Sequence, residues 1–139
     1  MNSYLISSSK KSSGKTILSI GICSAIRSFK KVVAPFKKGP DYIDPLWLSK
    51  ASNKNCYNLD FYNMNNSEIK NLYLRNILNA DVSIVEGNKG LFDGISADGS
   101  DSNAALSKLL NLEVILILDC TGTTRGVAPL LSGYKAFDK

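Results

Sequence analysis

Three groups of residues carry the chemistry open to this chain, each a cation or an acid set beside glycine or proline. The run SSGKT (12–16) follows an apolar segment and opens a helical pattern. In that setting backbone N–H groups point at phosphate oxygens, Lys15 neutralises phosphate charge, and the Thr16 hydroxyl can ligate Mg²⁺. The full G-x-x-x-x-G-K-[ST] pattern is not met, because Ser9 stands at the first glycine position. A Ser/Gly-rich helix start with an exposed lysine is the plainer reading of these residues alone.

The second group is DVSIVEGNKGLFDG (81–94), which places Glu86 at the end of an apolar run and before Gly87, Gly90 and Gly94. In open α/β sheets ligands sit at the carboxyl ends of the strands. An acid there can hold Mg²⁺ opposite the Thr16 hydroxyl. The third is PFKKGPDYIDP (35–45), with Lys37, Asp41 and Asp44 in a proline-stiffened loop. Its two acids could complete Mg²⁺ coordination or orient a reacting group, and Lys37 could meet a γ-phosphate or a substrate carboxylate. A solvated, salt-bridged turn is the alternative.

These residues need elements to hold them. Residues 3–7, 31–36, 81–87 and 113–120 are apolar runs of strand length, and the last reads as a strand buried on both faces. Residues 15–28 suit a largely buried helix. Residues 66–79 have helical spacing, with Asn65 or Asn66 as cap and Glu68 in the first turn. Residues 102–112 predict a short helix, and a further helix begins near Pro129. The asparagine-rich stretch 53–66 reads as an irregular connection. Alternating β and α elements imply a mostly parallel sheet flanked by helices.

Composition limits the alternatives. The 139 residues suffice for one domain, with 44% hydrophobic and 21% charged residues as in globular chains. Seventeen Lys+Arg against twelve Asp+Glu gives +5, which favours anionic ligands. No long basic run accompanies it, so nucleic acid is not an expected partner. The absence of histidine removes Ser-His-Asp and Cys-His catalysis. Cys23, Cys56 and Cys120 form no C-x-x-C pair, and their odd count without a signal-like segment suggests reduced thiols in a cytoplasm. No apolar run is long enough to span a membrane.

SGKT, PFKKGPDYIDPLWLSKASNKNCYNLD and VEGNKGLFDG together resemble the amino-terminal ATP-binding domain of the cobyrinic acid a,c-diamide synthases, over essentially the whole chain. The resemblance implies a P-loop NTPase-like fold, as in dethiobiotin synthetase and the MinD-like septum-site ATPases. It implies ATP- and Mg²⁺-dependent amidation of the a and c carboxylates of cobyrinic acid or a related tetrapyrrole polycarboxylate, through an acyl phosphate, in cobalamin biosynthesis. Carried over, the ATP-binding set is Lys10, Ser12, Ser13, Gly14, Lys15, Thr16 and Ile17. Thr16, Asp41 and Glu86 are the Mg²⁺ residues, Lys37, Asp44 and Asp93 the catalytic ones, and Tyr42 and Asp44 contact substrate.

Some residues depart from that pattern. Lys11 and Ser12 replace the usual serine and glycine, and a serine forced to positive φ costs about 1 kcal/mol or more. Lys38 stands where an apolar residue is common. Relatives continue into a glutaminase domain that supplies ammonia. The chain is therefore expected to be a partial synthetase domain, 1–139, incomplete at its C-terminal side, with none of its cysteines matching the glutaminase nucleophile. Two related readings remain: a nickel-sirohydrochlorin a,c-diamide synthase, and a partition-type ATPase in which Lys10 reaches phosphate across an ATP-induced homodimer.

Overall fold

The computed structural model describes residues 1–138. In chain order these form β1 (Asn2–Ser8), α1 (Lys15–Ser28), β2 (Val33–Lys38), α2 (Asp44–Ser52), β3 (Tyr57–Leu59), α3 (Asn66–Ile77), β4 (Val82–Glu86), α4 (Asn103–Leu110), β5 (Glu113–Ile117) and α5 (Val127–Phe137). The strands make one sheet in the order β3-β2-β4-β1-β5, and every pairing is parallel. This is the P-loop NTPase-like α/β architecture that the alternating pattern implies.

Neighbouring strand residues face opposite sides of a sheet, and the core divides accordingly. Leu5, Phe36, Leu59 and Val85 pack with Ile69 and Tyr73 of α3 and Leu106 of α4 on one face. Ile6, Val33 and Ile84 pack with Cys23 of α1 and Leu48 of α2 on the other. Register sets the functional edge: Glu86 lies level with Ile6 of β1 on one side and Lys37 of β2 on the other. The carboxyl ends of β1, β2 and β4 thus share one rim.

Helix starts follow local chemistry. Asn65 caps α3, accepting from the N–H groups of Ser67 and Glu68 while Glu68 reaches back to the Asn65 N–H. Ser102 caps α4 by accepting from Ala105 N–H at 3.1 Å. Pro129 falls in the first turn of α5, where an N–H has no intrahelical partner to lose.

Four expectations need correction. First, α1 has the expected bounds but is not largely buried. It turns one stripe (Lys15, Ser19 and Cys23) to the protein, leaving Ile17 80% exposed. Second, 113–120 is not a strand covered on both faces, since β5 is an edge strand beside β1 with exposed and half-buried residues. Third, 53–66 is not wholly irregular, because β3 extends the sheet there. Fourth, PFKKGPDYIDP is only partly a loop: all of β2 through Lys38 is buried strand, and α2 starts at Asp44. Pro35 is tolerated inside β2 because pairing with β3 begins only at Phe36.

Candidate functional site

The turn joining β1 to α1 holds two left-handed residues and a buried lysine. Gly14, the N-cap of α1, adopts φ 88°, and Ser12 adopts φ 62°, the left-handed conformation that taxes a side chain. The Ser13 hydroxyl donates to the Lys10 carbonyl at 3.0 Å. The Lys15 ammonium donates to Ser8 Oγ at 2.8 Å and to the Lys10 carbonyl at 3.4 Å, so the lysine folds back over its own loop. Burial, and then repulsion from Lys37, holds the Lys15 pKa below the ordinary lysine value.

Across from this turn lies a charge cluster drawn from three separate segments. The Thr16 hydroxyl, in the first turn of α1, donates to Glu86 Oε1 at 2.6 Å and stands 3.3 Å from Asp44 Oδ2. The Lys37 ammonium lies 2.7 Å from Asp44 Oδ2, 2.9 Å from Glu86 Oε1 and 3.9 Å from Asp41 Oδ2. Burial alone would depress Lys37, yet the Glu86 and Asp44 carboxylates outweigh it and raise its pKa. Glu86 is fully buried, and desolvation lifts its pKa despite Lys37 and Thr16. Burial works against Asp44 too, but the Lys37 hydrogen bond and charge keep its carboxyl below the usual range.

Asp41 does a different job at close range. Its Oδ1 accepts from the N–H groups of Ile43 (2.9 Å) and Asp44 (3.1 Å), opening α2 and aiming Asp44 at the cluster. A cavity of about 420 Å³ joins the parts, lined by Ser12, Ser13, Gly14, Lys15, Thr16 and Ile17 on one side and by Lys37, Asp41, Asp44 and Glu86 on the other. Most of the residues singled out in the sequence therefore converge.

Three stand elsewhere. The Lys10 ammonium pairs with Asp119 Oδ2, beyond β5, at 3.1 Å. Tyr42 is 80% exposed and lines no part of this cavity. Asp93 accepts from Gly90 N–H at 3.0 Å and faces a neighbouring cavity.

Other participants have no pattern in the sequence to betray them. Ser8 receives the Lys15 ammonium. Asn103, fully buried, donates to Ser7 Oγ (3.0 Å) and to the carbonyls of Asn88 (2.6 Å) and Gly90 (2.8 Å), tying the segment after β4 to β1. Asn88 and Lys89 line the cavity floor. A polar residue near a helix start reads as a cap, so Asn103 gave no sign of gripping a loop fifteen residues earlier.

Comparison with known proteins finds relatives for the sequence. The chain is 48% identical to the cobyrinate a,c-diamide synthase of Magnetococcus marinus over 95% of its own length and 28% of that protein. It is 40% identical to the same-named enzyme of Methanococcus vannielii over 99% of the chain and 31% of the relative. Over nearly its whole length the chain is similar to the amino-acid sequences of these cobyrinate a,c-diamide synthases. A hydrogenobyrinate a,c-diamide synthase of Brucella abortus is 39% identical, covering 100% of the chain and 32% of that protein. No family model matches the chain. The chain spans about three tenths of the length of the curated relatives it matches.

The donor set of this cavity fits a divalent hard cation. Thr16, Asp44 and Glu86 offer only oxygen, the ligand type Mg²⁺ prefers. Glu86 Oε2 is buried and has no hydrogen-bond partner among the described residues, a lone pair left for an ion or an ordered water. No cluster of three acidic, histidine or cysteine side chains forms a ready-made metal centre among the described residues. The Lys37 ammonium instead takes the centre of the carboxylates. No helix among the described residues is long and apolar enough to cross a membrane.

Proposed function

We propose that this chain carries the ATP-binding, carboxylate-activating site of a corrin a,c-diamide synthase. The observation that supports the reading most is the meeting of Thr16, Lys37, Asp44 and Glu86 at the carboxyl ends of β1, β2 and β4, across one cavity from the Ser12–Thr16 turn. Phosphoryl transfer asks a protein chiefly for positioning and charge neutralisation, which lysines and backbone N–H groups supply without histidine.

In this reading the N–H groups of the turn and the Lys15 ammonium receive the ATP phosphates. Lys15 exchanges its Ser8 and Lys10 contacts for phosphate oxygens. A substrate carboxylate oxygen attacks the γ-phosphorus, the bond to the β-bridging oxygen breaks, and ADP leaves. Lys37 faces that transfer and neutralises charge on the equatorial oxygens. Ammonia then attacks the acyl carbon, the carbon–oxygen bond to phosphate breaks, and the amide and inorganic phosphate result. Asp44 orients the acidic substrate or takes the proton that ammonia sheds. Mg²⁺, held by Thr16 and Glu86 with Asp44 and Asp41 beside them, would supply Lewis-acid neutralisation of the phosphates. The ammonia comes from a glutaminase domain outside residues 1–139. The free thiols of Cys23, Cys56 and Cys120 suit a reducing cytoplasm.

The substrate is cobyrinate or hydrogenobyrinate, the acids in the relatives' names. Titration calorimetry with ATP tests the site. Saturable, Mg²⁺-dependent binding that Lys15→Ala abolishes is expected. A parent chain that fails to bind at millimolar ATP, or binds as well after Lys15→Ala, refutes the reading.

A further inference from the structure

A second cavity, of about 310 Å³, opens beside the first, and Asn88 and Lys89 line both. Its walls include Pro40, Phe61, Tyr62 and Ile95, an apolar surface with one unusual member. Lys38, from the last position of β2, is 8% exposed and lines this cavity with its ammonium 5.9 Å from the centre of the Phe61 ring. Among the described residues that ammonium makes no hydrogen bond and no ion pair. The residue is buried overall, yet its Nζ is not among the partnerless atoms sealed from solvent, so the ammonium is reached only through the cavity. Burial pushes the Lys38 pKa down against the attraction of Asp101 and Asp60, neither of which forms an ion pair with it, and Lys89 adds repulsion.

The acids of the same cavity are already engaged by the chain. Asp101 accepts from Ile95 N–H (2.8 Å) and Ser96 N–H (3.1 Å). Asp60 accepts from Tyr62 N–H (3.1 Å) and the Asn63 side-chain amide (2.6 Å). Asp93 accepts from Gly90 N–H. They shape the walls, whereas the Lys38 ammonium, over the Phe61 ring, lines the cavity with no hydrogen-bond acceptor among the described residues. Lys89, exposed at the junction of the two cavities, has φ 53° and, among the described residues, no acceptor for its ammonium.

We propose that this cavity is a second anionic subsite, in which Lys38 pairs with a carboxylate of the substrate other than the one being activated. The apolar walls receive the edge of the ring that bears it. The inference rests on the proposed carboxylate-activating function and deepens it. A substrate with several peripheral carboxylates would be held at two points, one at Lys37 and Asp44 and one at Lys38. Which carboxylate enters the phosphoryl-transfer cavity is then set by its spacing from the one that Lys38 grips.

Binding of cobyrinate, followed by its visible absorbance, and binding of Mg·ATP, followed by calorimetry, are measured on the parent, Lys38→Met, Lys38→Arg and Tyr62→Ala. Tyr62 is 84% exposed, so its truncation leaves the fold intact. Loss of one charge-assisted hydrogen bond predicts about tenfold or more weaker cobyrinate binding in Lys38→Met. Lys38→Arg restores most of the affinity, Tyr62→Ala weakens it several-fold, and ATP binding is unchanged in all three. The subsite is overturned if Lys38→Met, folded by circular dichroism, binds cobyrinate like the parent. It is also overturned if the parent binds ATP but not cobyrinate. Should Lys38→Met fail to fold, unchanged cobyrinate affinity in Tyr62→Ala overturns it instead. A parent that binds neither ligand refutes the proposed function itself, which separates the two failures.

Discussion

Replacing Lys37 by methionine tests how the cluster is held together. The side chain is 4% exposed and Glu86 is 0% exposed, so neither charge is relieved by water. Methionine fills the stem but removes the ammonium, leaving Glu86 with one hydrogen bond, from Thr16, and an Oε2 that already has none. Breaking a buried pair from one side costs about 3–5 kcal/mol. That is a large share of the roughly 5–15 kcal/mol that stabilises an ordinary domain. With a urea slope of roughly 2 kcal/mol per molar, the unfolding midpoint should fall by about 2 M. Urea titration of the parent and variant by circular dichroism measures it. The double variant Lys37→Met/Glu86→Gln should recover most of the loss, because no buried charge is then orphaned. A single variant within about 0.5 kcal/mol of the parent, the ordinary range of exposed-surface changes, would show that the cluster is solvated and the reasoning wrong.

Three further outcomes follow from the same geometry. Desolvation raises the Glu86 pKa in the folded state, so its contribution to stability is fully present below the ordinary glutamate value and is lost as pH rises through the folded value; Glu86→Gln should flatten that part of a stability-versus-pH curve, and an unchanged curve would refute the assignment. Ser12→Gly removes left-handed strain at φ 62° but adds freedom to the unfolded chain, for a net gain of about 0.5–1 kcal/mol; a lowered melting temperature would count against it. Asn65→Ala removes the capping box of α3 and should cost about 1 kcal/mol in urea unfolding, with ATP binding unaffected.

Much of this was visible in the sequence, and what was hidden had physical causes. The bounds of α1 were legible from Gly14 before it and the run of helix-compatible residues after it, and Glu86 was marked by its place after an apolar run. Its partners Thr16 and Lys37 were marked too, but the element carrying Lys37 was not. Lysine is a poor strand candidate, so a reading by propensity ends β2 at Phe36 and assigns Lys37 and Lys38 to a loop. They enter the buried strand because acids distant in sequence meet one of them: Glu86, 49 residues along the chain, holds Lys37. Such compensation leaves no local trace. α2 was hidden for another reason. Pro45 reads as a breaker, yet it sits in the first turn, where the missing N–H costs nothing, and only Leu48 and Ser52 of the helix are buried, too few to give a period.

Those two hidden features belong to one device. Asp41 accepts from the opening N–H groups of α2, which carries Asp44, and Asp44 and Glu86 meet the Lys37 ammonium inside β2. Asp41→Ala should therefore act in two places: it should fray the first turn of α2 and also loosen the hold on Lys37, although Asp41 Oδ2 is 3.9 Å from that ammonium. Amide hydrogen exchange separates the effects. Faster exchange at Ile43 and Asp44 alone would mean a cap and nothing more. Faster exchange extending to the end of β2 would mean that the loop and the charge cluster open as one unit.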